Sequence, residues 1–136
     1  TQLNMPHGME MLGRPVDRAV SAFLDDIEAR GLSDKILFVL TGEFGRTPKV
    51  KTDGGRDHWP HLSTLAFAGG GLKMGQVIGQ STSRAEEPRS DPVGVENLLA
   101  TVLHVLFDIP RLRLTADLPR DLATLIDQGE PIQQLF

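Results

Sequence analysis

Residues 36–71 read ILFVLTGEFGRTPKVKTDGGRDHWPHLSTLAFAGGG. Two apolar runs, Ile36–Leu40 and Leu65–Ala68, bracket a polar stretch. Short apolar runs bounded by glycine and polar residues are the usual form of strands buried in a parallel sheet. Ligand-binding groups in such sheets lie past the carboxyl ends of the strands. Here that position holds Glu43, Arg46, Arg56, Asp57, His58 and His61.

Outward from this stretch, the chain alternates helix and strand. Val16, Val20, Phe23 and Ile27 recur at helical spacing, Pro15 suits a first turn, and Gly31 suits a cap, so a helix is predicted over 14–30. Residues 1–13 show no sustained period and read as irregular. Helix, short loop and strand in that order make half of an α/β unit. Residues 45–63 read as a long functional loop, held in order by Trp59. Gly69-Gly70-Gly71 suits a tight turn better than a phosphate cradle, because no nucleotide fingerprint accompanies it. Gln76–Ile78 is a candidate edge strand, and 79–92 a polar loop. A second helix is predicted over 95–107, with Val95, Leu98, Leu99, Val102, Leu103 and Leu106 as a broad apolar face. His104 falls on the opposite side, as a half-buried structural residue. Leu118–Ile126 fits a helix, and Leu122–Ile126 fits a strand equally well. Pro131–Phe136 is expected to fold back on the body, and no internal domain boundary is visible.

The 136 residues, 40% hydrophobic and 24% charged, suffice for one domain with a core. A net charge of −4 and the absence of tyrosine argue against a nucleic-acid binder. With no cysteine there are no disulfides or thiolate metal sites. No apolar run is long enough to span a bilayer, and the first residues do not form a signal peptide.

The chemistry gathers in the central loop. Carboxylate and imidazole are a normal mixed ligand set for zinc, and carboxylate oxygens suit a harder ion such as calcium. Glu43, Asp57, His58 and His61 are therefore the candidate metal ligands. Arg46 and Arg56 are the candidate oxyanion contacts, since a planar guanidinium can make two parallel hydrogen bonds to phosphate or sulfate. The spacing is not a closed motif, because Pro60 separates the two histidines. A plain structural reading stands beside it: Asp57 pairs with Arg56 or caps a turn, His58 bonds a backbone carbonyl, and the arginines are surface charges. No serine or threonine has a nucleophile-elbow context.

The runs LTGEFGRTPKV, GRDHWPHLSTLAFAGGGLKMGQVIG, ENLLATVLHVLFDIP and GEPIQQLF together resemble the C-terminal part of a bacterial family. It is the sulfatase-like domain-of-unknown-function family fifteen hundred and one, of the alkaline phosphatase superfamily. The resemblance implies a three-layer α/β/α sandwich around a mostly parallel sheet, with residues 1–136 a single C-terminal portion of it. It implies a metal-dependent hydrolase of phosphate or sulfate esters, using a divalent metal such as zinc or calcium on a small-molecule ester. The alternative is a non-catalytic binding or scaffold protein of the cell envelope that kept the fold. It further implies export to the periplasm or cell envelope. The superfamily strand ending in Thr-x-Asp-His matches Thr41-Gly42-Glu43-Phe44. Glu43 can stand for the acid, but Phe44 cannot replace an imidazole. His58 is the natural match for a further histidine, with His61 second. The nucleophile and the remaining ligands would precede Thr1, so no catalytic residue is assigned within this chain. Such a portion would expose sheet edges, favouring a homodimer through a free edge.

Overall fold

The computed structural model describes residues 5–136. The chain opens with α1 (Met5–Gly8), a π-helical turn (Met9–Gly13) and α2 (Arg14–Ala29). Residues 5–13 are thus helical rather than irregular. Gly8 and Gly13 both adopt right-handed helical angles, so the backbone runs through them into α2. Residues 1–4 of that expected irregular stretch lie outside the described residues. The α2 stripe is as predicted, but only its C-terminal half packs. Ile27 is buried and the Phe23 ring meets that of Phe38 at 5.5 Å, while Val16 stays exposed.

The two apolar runs form β1 (Leu37–Thr41) and β4 (Leu65–Gly69). They pair directly and antiparallel, from Leu37 opposite Gly69 to Thr41 opposite Leu65. The expected mostly parallel sheet is therefore corrected for these strands, although the mixed α/β class holds. Parallel neighbours need a crossover, usually a helix. No helix lies between Thr41 and Leu65, so the chain can only turn back. Among the described residues β1 pairs with β4 alone and is not the central strand its composition suggests. Gly69 fixes the far end of the pair: it has φ +76°, and a Cβ there would lie 2.3 Å from the carbonyl oxygen of Ile36.

The expected strand at Gln76–Ile78 does not form. The pairing comes later, between β5 (Gln80–Ser81) and β6 (Pro88–Ser90). Then follow α3 (Val95–Leu106), α4 (Ile109–Leu112) and α5 (Arg120–Gln128). The helical reading of 118–126 prevails over the strand. The chain closes on a 3-10 turn, Gln133–Leu135. Ile132 and Leu135 are buried with Leu72 against Leu37, Phe67, Ile78 and Val105, so the C-terminus does pack back on the body.

The second helix forms where predicted but packs by its other side. Its inward face carries Asn97, Ala100, Thr101, His104 and Val105. Thr101 is fully buried; its hydroxyl donates to the Asn97 carbonyl at 2.7 Å and accepts from the Ile132 amide at 2.9 Å. The Asn97 amide donates to the Glu130 carbonyl at 2.9 Å. His104, half-buried as expected, bonds the Ala100 carbonyl through Nδ1 at 2.8 Å. These polar bonds to the C-terminal segment decide which side faces in, because breaking them would leave buried groups unsatisfied. Half of the predicted apolar face is left outside, with Val95 66% exposed, Leu99 46% and Leu106 60%, while Leu98, Val102 and Leu103 are half-buried.

Candidate functional site

The polar stretch between β1 and β4 is an ordered ribbon rather than a structureless loop. Two short strands, β2 (Gly45–Arg46) and β3 (His58–Trp59), pair antiparallel with Gly45 opposite Trp59 and Arg46 opposite His58. Thr47 extends the pairing. Its amide donates to the Asp57 carbonyl at 3.0 Å, and its Oγ1 accepts from the Asp57 amide at 3.1 Å. The tip turns over Lys51–Gly55, where the Lys51 amide donates to the Gly55 carbonyl and the Asp53 carboxylate accepts from the Gly55 amide. The Met5 amide ties α1 to this tip through the Gly54 carbonyl.

Two features hold the ribbon in place. Gly45 lets the Leu62 carbonyl approach so closely that an added Cβ would lie 1.8 Å from its oxygen. The Trp59 indole N–H donates to the Glu86 carbonyl at 2.8 Å, joining the ribbon to the β5–β6 turn. The sequence reading of Trp59 as the anchor of the histidine segment therefore holds.

The candidate residues divide into three groups. Arg46 and His58 stand opposite one another on one face of the ribbon, with Phe44 beside both. The Phe44 and His58 ring centroids are 4.2 Å apart, and the Arg46 guanidinium lies over the Phe44 ring at 5.8 Å. His61 meets Trp59, with centroids 4.9 Å apart. Asp57 is engaged elsewhere: its carboxylate pairs with Lys51 Nζ at 2.7 Å. That hydrogen bond, and then the ammonium charge, holds the Asp57 carboxyl below the usual aspartate range. The same bond raises Lys51. Glu43 is exposed just past the end of β1 and forms no ion pair among the described residues.

Arg56 differs from Arg46. Its Nη1 donates to the Thr47 carbonyl at 3.2 Å, and its Nε is buried with no acceptor. Buried N–H groups normally find a partner. Because Lys51 and Asp57 neutralise one another, the remaining fixed charges are Arg46, Lys49 and Arg56 against the carboxylates of Glu43 and Asp53, an excess of one positive charge. The surface is suited to an anion. Among the described residues, two clefts lie away from the ribbon, one of about 230 Å³ beside Arg113 and Ile126, another of about 220 Å³ between Ile27, Asp34 and Leu72.

The four expected metal ligands do not converge. Among the described residues no group of three or more histidine, aspartate or glutamate side chains is arranged to hold a metal. Asp57 is paired with Lys51, while the His58 ring packs on Phe44 and the His61 ring on Trp59. As they stand, these residues do not fit a metal, and no chemistry is routed through one here. Sequence reasoning singled out Phe44 only as a missing imidazole. It missed that Phe44 is the packing partner of His58 and Arg46. Lys51, which decides the state of Asp57, was missed as well; its signal was a lysine across the Asp-Gly-Gly turn.

The family model described as "Protein of unknown function (DUF1501)" matches residues 3–136. The chain belongs to this family. The match spans the ribbon, both apolar strands and the C-terminal helices, so every candidate residue above lies inside the DUF1501 region. No curated protein and no solved structure matches the chain.

Proposed function

We propose that the ribbon is the oxyanion-binding wall of a site for a phosphate or sulfate ester, in a hydrolase of the alkaline phosphatase type. The observation that carries this reading is the cross-strand pair of Arg46 and His58 on a ribbon with an excess of positive charge, to which Arg56 belongs. Guanidinium groups bind tetrahedral oxyanions through paired N–H donors, and an imidazole adds a further donor. Such contacts strengthen as charge develops on the ester oxygens. In this reading Arg46 and Arg56 orient the ester, and His58 donates to it. Zinc or calcium, which the sequence resemblance implies, needs ligands beyond Glu43 and His58, and the wall binds its anion without one. The same resemblance supports a three-layer sandwich for the complete domain and export to the periplasm or cell envelope.

A second reading is a non-catalytic binding protein for the same esters. The pairing of Asp57 with Lys51 favours it, because it withdraws an expected ligand.

Calorimetric titration with inorganic phosphate and sulfate tests the shared core of both readings. Binding that falls by at least about tenfold in Arg46→Met and in Arg56→Met is expected, the loss of one charge-assisted contact. No binding, or binding indifferent to both variants, overturns it. Turnover of aryl phosphate or sulfate esters by the same protein separates the hydrolase from the binding protein.

A further inference from the structure

The Arg46 side chain is exposed, and among the described residues its guanidinium makes no hydrogen bond and no ion pair. A long side chain in that situation keeps its rotamer freedom, and an anion that captures it must first order it.

The other cations of the ribbon are ordered by partners that occupy them. Lys51 Nζ is held by the Asp57 carboxylate at 2.7 Å, which cancels its charge. Arg56 gives its Nη1 to the Thr47 carbonyl at 3.2 Å. Each partner takes a charge or a donor that an oxyanion would need.

Arg46 is held differently. Phe44 lies two residues before it, and the guanidinium stands over the Phe44 ring, 5.8 Å from the centroid. The face of an aromatic ring attracts a cation within about 6 Å. The ring carries no net charge and claims none of the in-plane donors. It therefore restrains the guanidinium while leaving its positive charge and its five N–H groups unspent. A carboxylate at position 44 would restrain it more firmly but would compete with any anion for the same donors.

The ring is itself supported. Phe44 is half-buried, and the His58 imidazole packs on it with centroids 4.2 Å apart. His58 stands opposite Arg46 across β2 and β3. One ring thus touches both members of the cross-strand pair.

We propose that Phe44 is a positioning residue of the oxyanion wall, whose ring holds the Arg46 guanidinium opposite His58 with its charge and donors free for phosphate or sulfate. This role rests on the ester-binding reading of the ribbon and adds to it a residue that acts through Arg46.

Phosphate titration followed by nuclear magnetic resonance is the test. Phe44→Leu and Phe44→Met keep an apolar side chain of similar size and remove the ring, so the circular dichroism spectrum and melting temperature should stay in place. Phosphate affinity is expected to fall by about two- to fivefold in both, the scale of an exposed cation–π contact, and to be kept at the wild-type level in Phe44→Tyr. In an Arg46→Met background, Phe44→Leu should cost nothing further. Wild-type affinity in the Leu and Met variants overturns this role alone and leaves the ester-binding reading standing. So does a Phe44→Tyr chain as weak as Phe44→Leu, and so does an undiminished loss in the Arg46→Met background, which would put the ring against the anion itself. A wild-type chain that binds no phosphate overturns both this role and the reading beneath it.

Discussion

The imidazole of His58 rests against the ring of Phe44, their centroids 4.2 Å apart and their planes inclined at 41°. Phe44 ends the turn after β1, and His58 opens β3 on the returning arm of the ribbon. An apolar ring thus occupies the space where a second imidazole would complete a pair of nitrogen ligands. Phe44→His should convert the contact into such a pair, because two imidazoles this close can share one zinc ion at ordinary Zn–N distances. Zinc affinity should rise by at least about tenfold over the wild-type chain. Calorimetric zinc titration of the two proteins checks this, and equal affinities would show that position 44 does not set an imidazole within reach of His58.

The Lys51–Asp57 pair predicts a pH dependence whose sign is fixed. Asp57 is held below its ordinary range in the folded chain, first by the hydrogen bond from Lys51 and then by its charge. Its contribution is therefore fully present above the unfolded aspartate value, about 4, and is lost as pH falls through the lower folded value. Lys51 is raised, so its share is present below the ordinary lysine range and disappears as pH climbs through the folded value. Both groups are solvent-exposed and the effect is small. Asp57→Asn should lower stability slightly across the neutral region and meet the wild-type curve at the acid end, which flattens the acid limb. Urea midpoints between pH 2.5 and 7 measure it, and an unaltered acid limb would count against the pair.

Gly45 predicts a steric effect on the ribbon. The three atoms nearest its missing Cβ, the Leu62 carbonyl oxygen and carbon and the Trp59 carbonyl oxygen, are backbone and cannot swing aside. Gly45→Ala should destabilise the chain by about 1–3 kcal/mol, the usual cost of overpacking, and should weaken phosphate binding by separating Arg46 from His58. Thermal melts by circular dichroism, set beside the phosphate titration, check the two effects together. A fully stable variant with unchanged binding would show that the ribbon does not depend on this approach.

Much of this was legible in the chain, for reasons that differ by element. The α2 stripe and the two apolar strands were readable because local periodicity records them directly. The direction of β4 was not, since an apolar run pairs equally well either way; the missing crossover helix between Thr41 and Leu65 decides it. For α3 the period located the apolar face but not its orientation. That depended on single bonds from Thr101 and Asn97 to residues near the far end of the chain. At the site, Arg46, His58 and Arg56 were recognisable as residue types. Their juxtaposition was not, because it arises from the register of a ribbon that Gly45 and Trp59 lock in place. Asp57 was legible as a metal candidate or as one half of a local pair with Arg56; the pair it forms is with Lys51, at 2.7 Å.

The bond from the Trp59 indole to the Glu86 carbonyl has a practical consequence. Trp59 is the only tryptophan, and the chain has no tyrosine. Ultraviolet emission of the unlabelled protein therefore originates at the one ring that fastens the ribbon to the β5–β6 turn, with His61 beside it. Ligand capture on the ribbon, release of that fastening, or protonation of the neighbouring imidazole would each change the colour or intensity of this light. The molecule carries its own lamp at the place whose chemistry is in question.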